Sequence, residues 1–355
     1  RAVRGMPALF AQGFQVTADR VFPIAVFCAA PFLASLLLSL YLTPIFRDSA
    51  RRIGIVDRPD GDLKTQKAPV PYLGGLAVFC AVLFPVAIFL RFSDQLMGLL
   101  LASCIVVMLG LIDDIGRLSP RVKLLVQVIA VFLMIKSGIR IRIAFLPPIA
   151  CIALTFLWMI VMTNGFNLID VMDGLAGGVA SVSAAALAVI FLLQGKQIGM
   201  VVSVSLAGAL LGFLRYNRSP AQIYLGDTGS LLLGFLLGGL AIDADYTFRN
   251  PLGWMTALAV FAVPLFEILF VSFLRFRRGA SILVGSRDHF SLRLRKWKLS
   301  KDQTVLWSCA AAALSSGIGI IVMHFRPAAS LAGYGIIVAM FIVVAVWLKA
   351  IDMTL

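Results

Sequence analysis

The sequence predicts an all-α integral membrane protein, a polytopic bundle of about eleven transmembrane helices. Of its 355 residues, 61% are hydrophobic and only 14% are charged, and the mean hydropathy is +0.99. Such a composition cannot cover a water-soluble globule with polar surface. Apolar runs of about 20 residues, the length that crosses a bilayer core, recur between charged breaks along the whole chain.

Each predicted helix is an apolar run bounded by charged residues, proline or glycine. In chain order the segments are 21–42, 71–90, 96–112, 122–139, 147–163, 175–193, 198–214, 228–242, 252–274, 303–323 and 331–348. The longest breaks, 43–70 and 275–302, are each too short to bury a core of their own. We therefore predict a single transmembrane domain over residues 1–355.

Basic residues orient the bundle, because Lys and Arg are retained on the cytoplasmic side of short loops. Alternate loops lie on the same side of the membrane. One side then holds the tail from residue 349 and loops 43–70, 113–121, 164–174, 215–227 and 275–302, with about two thirds of the 31 Lys and Arg. This predicts an N-terminus outside and a C-terminus inside the cell. Topology and attraction to anionic lipid account for the net charge of +14, so no nucleic-acid partner is expected.

Two adjacent aspartates, Asp113 and Asp114, end the third predicted helix, and Lys123 begins the fourth. Ser119 and Pro120 between them are typical of a helix N-terminus. Adjacent carboxylates repel each other unless a cation lies near them. Because a carboxylate at the end of a membrane helix is retained only when it is paired, hydrated or bound to a cation, the pair indicates a functional site.

A second acidic block carries Asn164, Asn167, Asp170 and Asp173, one oxygen-bearing side chain at every third position. On a continuous helix, neighbours at this spacing lie about 60° apart around the axis. We therefore expect Asn167, Asp170 and Asp173 to line one wall. A helix cap would account for an asparagine but not for the two acids.

A third acid, Asp227, follows Tyr224 and begins the apolar segment 228–242. A carboxylate at this place is also a suitable helix cap. Three acidic helix ends on one predicted face nevertheless argue for a shared metal. Carboxylate and amide oxygens without His or Cys ligands suit Mg²⁺, with Mn²⁺ as an alternative, and Mg²⁺ commonly completes its shell with substrate phosphates.

Basic residues predicted on the same face are candidate partners for an anionic substrate. Lys67 precedes a Pro/Gly-rich turn, and His289 and Arg293 lie in the last long loop. Glu267, the only glutamate of the chain, lies inside the ninth predicted span beside a proline. Its carboxylate either lines a kinked polar groove or pairs with a buried base, and the sequence leaves both alternatives open.

These blocks, in this order, resemble the polyprenyl-phosphate N-acetylhexosamine-1-phosphate transferases. The resemblance covers nearly the whole chain and is carried by KAPVPYLGG at 67–75, GLIDD at 110–114, NGFNLIDVMDG at 164–174 and YLGDTGS at 224–230. It implies a Mg²⁺-dependent enzyme of the bacterial inner membrane, with a periplasmic N-terminus and a cytoplasmic site. That enzyme would transfer a HexNAc-1-phosphate from a UDP-sugar to a polyprenyl phosphate, usually undecaprenyl phosphate, and release UMP. A homodimer is possible for such a protein.

Matched position by position, the family pattern divides the polar residues into three sets. The metal set is Asp227 and Asn167; the substrate set is Asn164, Asp170, Asp173, Tyr224, His289 and Arg293; the catalytic set near the phosphates is Asp113, Asp114, Lys67 and Lys123. Phosphoryl transfer requires in-line placement and charge neutralisation. We therefore expect direct attack by the lipid phosphate, which one of the paired aspartates orients or deprotonates, while a covalent aspartyl intermediate stays open.

One departure concerns the last cytoplasmic loop, where the family commonly has His-x-His-His-Arg and this chain has HFSLR at 289–293. This loop is expected to meet the sugar and pyrophosphate, so the N-acetylated sugar and the envelope glycan that it initiates stay open, although the NGFN block is closer to the UDP-GlcNAc-using branch. Two other classes of protein are alternatives. An ion-coupled transporter would place its acids near the bilayer midplane within inverted halves. A Mg²⁺-dependent intramembrane prenyltransferase would carry acids four residues apart, not three.

Overall fold

The computed structural model describes residues 18–57, 68–116, 118–279, 288–351 and 353, with side chains from residue 28 onward. Within these ranges the helices are α1 (Ala18–Ile53), α2 (Gly74–Phe89), α3 (Asp94–Gly116), α4 (Pro120–Lys136), α5 (Pro148–Ile169), α6 (Leu175–Gln194), α7 (Gln197–Asn217), α8 (Gly226–Asp243), α9 (Met255–Val260), α10 (Ala262–Arg277), α11 (Phe290–Lys296), α12 (Lys301–Val322) and α13 (Pro327–Lys349). Strands β1 (Val56–Asp57) and β2 (Val70–Pro71) pair antiparallel.

The described structure is helical throughout apart from this short strand pair, and a helix lies over each predicted apolar segment. Among the described residues, seven helices are long and apolar enough to cross a membrane: α1 from residue 28, α3, α5, α6, α7, α12 and α13. Large apolar side chains remain exposed along their outer faces, Leu37 (63%) and Val346 (67%) among them. Such surfaces are stable in lipid, so the chain is an integral membrane protein of the all-α class.

The helix boundaries differ from the prediction by a few residues at several ends, as where α5 continues to Ile169 and not 163. Two differences are larger. Helix α1 continues to Ile53, well past the predicted end at residue 42; its polar last turns are held by Arg47, which donates to Gln222 (2.8 Å). The predicted span 252–274 is two helices, because the chain breaks at Phe261 between α9 and α10. Pro264 lies in the first turn of α10, where its missing N–H costs no helical hydrogen bond.

Helix α8 lies at the centre of the bundle, where it packs against α2, α3 and α5. Its residues 228–241 are all buried, as expected of a helix that is apolar on every face. Gly110 of α3 contacts the backbone of Thr228, and Gly75 of α2 contacts that of Gly229, so closely that a Cβ at either glycine would collide with α8. These contacts fix the N-terminus of α8 against the end of α3.

Candidate functional site

The ends of α3, α4 and α8 meet around the Lys123 ammonium. Its Nζ lies 2.8 Å from Asp227 Oδ2 and also forms an ion pair with Asp113. Ser119 caps α4 by accepting from the Val122 N–H (3.4 Å), with a proline at the first helical position. The predicted start of α4 is therefore confirmed, and it puts Lys123 in the first turn, between two acids that are far apart in sequence.

Asp113 and Asp114 have different partners. Asp113 Oδ1 accepts from the Leu118 N–H (2.6 Å) and the same carboxylate pairs with Lys123. Asp114 instead accepts from the N–H groups of Asp227 (2.8 Å) and Thr228 (3.0 Å) and from Thr228 Oγ1 (2.6 Å). The helix α3 continues through both residues, and neighbours on a helix point about 100° apart. Asp113 therefore contacts the Lys123 ammonium, whereas Asp114 contacts the first turn of α8.

Asp114, not Asp227, caps α8. The first turn of a helix leaves N–H groups without internal partners, and the residue before α8, Leu225, supplies no side-chain cap. The Asp114 carboxylate supplies it from another helix. The Asp227 carboxylate turns away and accepts from Lys123 and from Asn167 Nδ2 (2.8 Å).

The two asparagines also differ in their contacts. Asn167 Nδ2 donates to Asp227 Oδ1 and to Ser230 Oγ (2.9 Å), so the Asn167 amide lies directly against the first turn of α8. Asn164 lies one turn earlier on α5 and donates to the buried Gln127 side chain (2.8 Å). Its contact joins α5 to α4 and lies beside the cluster of acids rather than within it.

The expectation that Asn167, Asp170 and Asp173 line one helical wall is wrong. Helix α5 ends at Ile169, Asp170 follows it as the C-cap residue, and Gly174 (φ 78°) precedes α6. A break between residues 163 and 175 is predicted from the sequence, but the helix continues six residues further than predicted, so Asn167 is helical while Asp170 and Asp173 are not. Asn217 accepts from the Gly174 N–H (2.9 Å) and holds the turn against the end of α7.

Asp170 and Asp173, at the two ends of this turn, have different surroundings. Asp173 pairs with Lys301 at the start of α12 (2.9 Å). For the Asp170 carboxylate, the described residues provide no hydrogen-bond or ion-pair partner. Burial, together with the nearby charges of Asp227, Asp114 and Asp173, raises the pKa of Asp170 well above its ordinary value. An unpaired acid among other acids is a place where a cation is strongly favoured.

The donor set around Asp227 is compatible with a hard divalent ion. Carboxylate and amide groups are present, and half a turn of the Asn167 amide plane would replace its Nδ2 with Oδ1. Among the residues that the structure describes, no three acid, His or Cys side chains form a complete metal cage. Mg²⁺ commonly takes one or two protein groups and fills its shell with water and phosphate oxygens.

Two tyrosines form the edge of this region. Tyr224 and Tyr72 have ring centroids 6.2 Å apart, and the Tyr224 N–H donates to the Pro71 carbonyl (2.8 Å). Burial, and next the charge of Asp173, raises the pKa of Tyr224 to about 12. Both phenols therefore stay neutral donors at cellular pH. Lys67 precedes this segment and lies outside the described residues.

Glu267 pairs with His289, so the structure supports the buried-base alternative. The carboxylate is fully buried; its Oε1 lies 2.6 Å from His289 Nδ1 and its Oε2 accepts from the Phe290 N–H (3.1 Å). One acid thus holds both the imidazole and the start of α11. The helix break near Pro264 is present as well, but the Glu267 carboxylate faces a histidine rather than an open groove.

Arg293 lies in α11, the short helix that follows His289. Its guanidinium is 2% exposed, donates to Asp288 Oδ1 (2.9 Å) and donates to the carbonyls of Leu348 (3.1 Å) and Ile351 (2.8 Å). It therefore joins the loop to the end of α13. With these contacts Arg293 positions the residues around it. Glu267 contacts only the Nδ1 atom of His289, so the Nε2 atom of that ring is the one that could meet a substrate.

Sequence reasoning missed Lys301, Tyr72 and Gln127. Tyr72 lies inside the quoted KAPVPYLGG block, and the capping box of Ser300 with Gln303 marks the helix start that carries Lys301. Both signals were readable in the sequence. Gln127 gave none, because a single amide in an apolar run shows its partner only after the helices are packed.

Residues 96–245 match the family described as Glycosyl transferase family 4. This range holds nearly all of α3, helices α4 to α8, and the acids Asp113, Asp114, Asp170, Asp173 and Asp227. The chain is 32% identical over 284 residues to a probable undecaprenyl-phosphate N-acetylglucosaminyl 1-phosphate transferase of Bacillus subtilis, covering 78% of this chain and 79% of that protein. It is 27% identical over 313 residues to an undecaprenyl-phosphate alpha-N-acetylglucosaminyl 1-phosphate transferase of Salmonella typhi, covering 82% and 84%. A protein of the same description from Escherichia coli K12 is 25% identical over 314 residues, covering 82% and 84%. Similarity of this extent, over a region that includes the whole acidic cluster, shows that the chain belongs to this family of polyprenyl-phosphate sugar-1-phosphate transferases.

Proposed function

We propose that this protein transfers a HexNAc-1-phosphate from a UDP-sugar to undecaprenyl phosphate, releases UMP and so initiates a cell-envelope glycan. The observation that carries the proposal is the convergence of Asp113, Asp227 and Asn167 around Lys123, beside the unpaired Asp170. This is a site for phosphates and a cation, and the relatives are named for this transfer. GlcNAc, the sugar in those names, is the proposed first choice of HexNAc.

In the proposed reaction, an oxygen of the lipid phosphate attacks the sugar-bearing phosphorus of the UDP-sugar. A new P–O bond forms, and the bond from that phosphorus to the bridging oxygen breaks, so UMP leaves with this oxygen and its electron pair. Asp113 accepts or orients the proton of the attacking phosphate. Lys123 holds Asp113 beside Asp227 and offsets phosphate charge. Direct attack needs positioning more than a covalent intermediate.

We assign the cofactor as Mg²⁺, with Mn²⁺ as a substitute, held by Asp227 and Asn167. When bound, the ion would neutralise the diphosphate and polarise its leaving oxygen. Asp170, Asp173 and Tyr224 lie around this point and are proposed to contact the nucleoside, while Asn164 supports the wall through Gln127. Lys67 stays a proposed phosphate contact on the basis of the family pattern alone.

We further propose that all eleven apolar segments cross the bacterial inner membrane, with the site on the cytoplasmic side. The acidic helix ends lie on the side that holds about two thirds of the Lys and Arg, and this side is cytoplasmic under the positive-inside rule. UDP-sugars are made in the cytoplasm, which fits this placement. A homodimer is compatible with the proposal.

A panel of nucleotide sugars tests the function directly. Purified protein with Mg²⁺ and undecaprenyl phosphate is expected to release UMP from UDP-GlcNAc, and a related UDP-HexNAc is the second arm. Omission of the lipid phosphate should stop release, because the lipid supplies the nucleophile. UMP release from no UDP-sugar, combined with ion uptake into vesicles, would support a transporter instead.

The His289 loop is expected to set turnover and sugar preference. His289→Ala should lower kcat for UDP-GlcNAc about 10²-fold, the lower end of the range for removing a positioned proton donor or acceptor. Glu267→Gln should lower kcat in the same direction by a smaller factor and leave KM nearly unchanged. Glu267 is fully buried and therefore acts through the His289 ring as a positioning residue.

The measurement is kcat and KM for a panel of UDP-sugars with both variants. Added to the His289→Ala background, Glu267→Gln should have no further effect on kcat, since the residue it positions is gone. Equal ranking of the sugars at unchanged rate in His289→Ala would remove this loop from substrate recognition.

A further inference from the structure

An open cleft lies between the end of α4 and the start of α5, at the end of the bundle opposite to the aspartates. Its volume is about 430 Å³, within the range of ligand-binding clefts. Three cationic side chains line it, Lys136, Arg140 and Arg142, together with four large apolar ones, Phe132, Ile135, Ile152 and Phe156. Nothing in the transfer reaction uses this cleft, because α4 carries Lys123 at its other end.

The cations of the cleft lack acidic partners. Within the described part of the chain, none of the three forms a salt bridge, and the one side-chain hydrogen bond is from Arg142 Nη2 to the Gly138 carbonyl (3.3 Å). Other surface cations of the protein do find acids, as Lys301 does with Asp173. Positive charge in the cleft is therefore uncompensated, and an anion would be attracted to it.

The placement of this charge also runs against the topology of the chain. About two thirds of the Lys and Arg lie on the side of the aspartates, whereas Lys136, Arg140 and Arg142 concentrate three cations within seven residues on the other side. The positive-inside bias disfavours such a cluster outside. A separate interaction is needed to account for it.

The position of the cleft along the membrane normal favours a lipid over a soluble anion as its ligand. Phe145 is 86% exposed and Ile149 is 72% exposed, and both lie in or beside the loop that borders the cleft. Side chains this apolar are stable at the level of the acyl chains, so the cations beside them lie at the headgroup level. A free anion would gain nothing from the four apolar side chains of the wall, whereas the upper part of an acyl chain would.

We propose that this cleft binds the phosphate headgroup of an anionic phospholipid from the leaflet opposite to the catalytic site. The three cations contact the phosphate, and Phe132, Ile152 and Phe156 contact the glycerol and first acyl carbons. Basic pockets between transmembrane helices bind anionic headgroups on the cytoplasmic or matrix side of other membrane proteins, and we apply the same charge complementarity to the opposite leaflet. The site stands independently of the reaction proposed above.

Native mass spectrometry of the full chain with added phosphatidylglycerol or phosphatidylcholine tests the proposal. The parent protein should retain phosphatidylglycerol in preference to phosphatidylcholine. A variant with Lys136→Gln, Arg140→Gln and Arg142→Gln should bind phosphatidylglycerol about tenfold to a hundredfold more weakly. The matched control carries Arg91→Gln, Arg249→Gln and Arg326→Gln, which remove the same charge from the same side and should leave retention unchanged.

The proposal would be overturned by equal retention in the parent and the triple variant, by equal loss in the matched control, or by displacement of the lipid by millimolar inorganic phosphate. A change from dimer to monomer with lipid retention unchanged would also overturn it, since the cleft would then be an interface between copies. If the triple variant does not fold, Arg140→Gln alone, at an exposed position, should still weaken binding several-fold.

Discussion

Asp227→Asn is expected to lower UMP release from UDP-GlcNAc by about 10³-fold, as removal of one preorganised charge-stabilising group does in other enzymes. The substitution keeps the shape of the side chain and removes the negative charge that faces Lys123 (2.8 Å) and Asn167 (2.8 Å). In the proposed reaction this charge holds the divalent ion. The measurement is initial rate against Mg²⁺ concentration at saturating lipid phosphate.

Asp243→Asn is the matched control, because Asp243 ends the same helix α8 at its other terminus. This variant should retain the parental rate, which separates loss of the site from general damage to α8. Thermal unfolding of both variants in the same detergent reports whether the fold is kept. Activity of Asp227→Asn within tenfold of the parent, at the same Mg²⁺ requirement, would remove Asp227 from the metal site.

Asp114→Asn and Asp113→Asn are expected to fail in different ways. Asp114 accepts three hydrogen bonds from Asp227 and Thr228 at the start of α8. An asparagine offers one oxygen in place of two, so at least one N–H of the turn loses its partner, at a cost of about 1–3 kcal/mol. We expect the unfolding temperature of Asp114→Asn to fall by several degrees, with activity lost as the first turn of α8 shifts.

For Asp113→Asn we expect the opposite balance. Its Oδ1 still accepts from the Leu118 N–H, so the unfolding temperature should stay near that of the parent. Loss of the charge beside Lys123 should lower the rate by about 10²-fold, the effect of removing a general base. Differential scanning fluorimetry and UMP release on the same preparations compare the two. A larger loss of stability in Asp113→Asn than in Asp114→Asn would contradict the division of roles.

Much of the candidate site was accessible from sequence, because the cost of charge in a membrane makes each retained acid informative. Asp113, Asp227 and Asn167 were each predicted at a helix end, and the structure brings them together with Lys123. What failed was the geometry inside one motif. The spacing of Asn167, Asp170 and Asp173 fits a helix, but the helix ends at Ile169 and Gly174 (φ 78°) precedes the next one. The apolar runs predict a break in this region, but the periodic pattern of polar residues does not show at which residue it begins.

The partners of these residues lie far away along the chain. Lys301 is 128 positions from Asp173, Glu267 is 22 positions from His289, and Asp114 is 113 positions from the helix start that it caps. Each contact depends on how two helices are packed, which local sequence does not specify. The division of the Asp113 and Asp114 pair is the clearest case, since the two residues are chemically identical.

The sequence by itself determined the membrane class, the apolar segments and the residue types that can hold phosphate and a divalent ion, because hydrophobicity and charge act locally and their cost in lipid is large. Only the tertiary structure decided which acid meets which base, which carboxylate caps α8 and where uncompensated cations form a cleft on the far side. The reason is that hydrogen bonds and ion pairs form over about 3 Å, and only packing decides which helices distant in sequence come that close, as where Gly75 and Gly110 let α2 and α3 contact the backbone of α8.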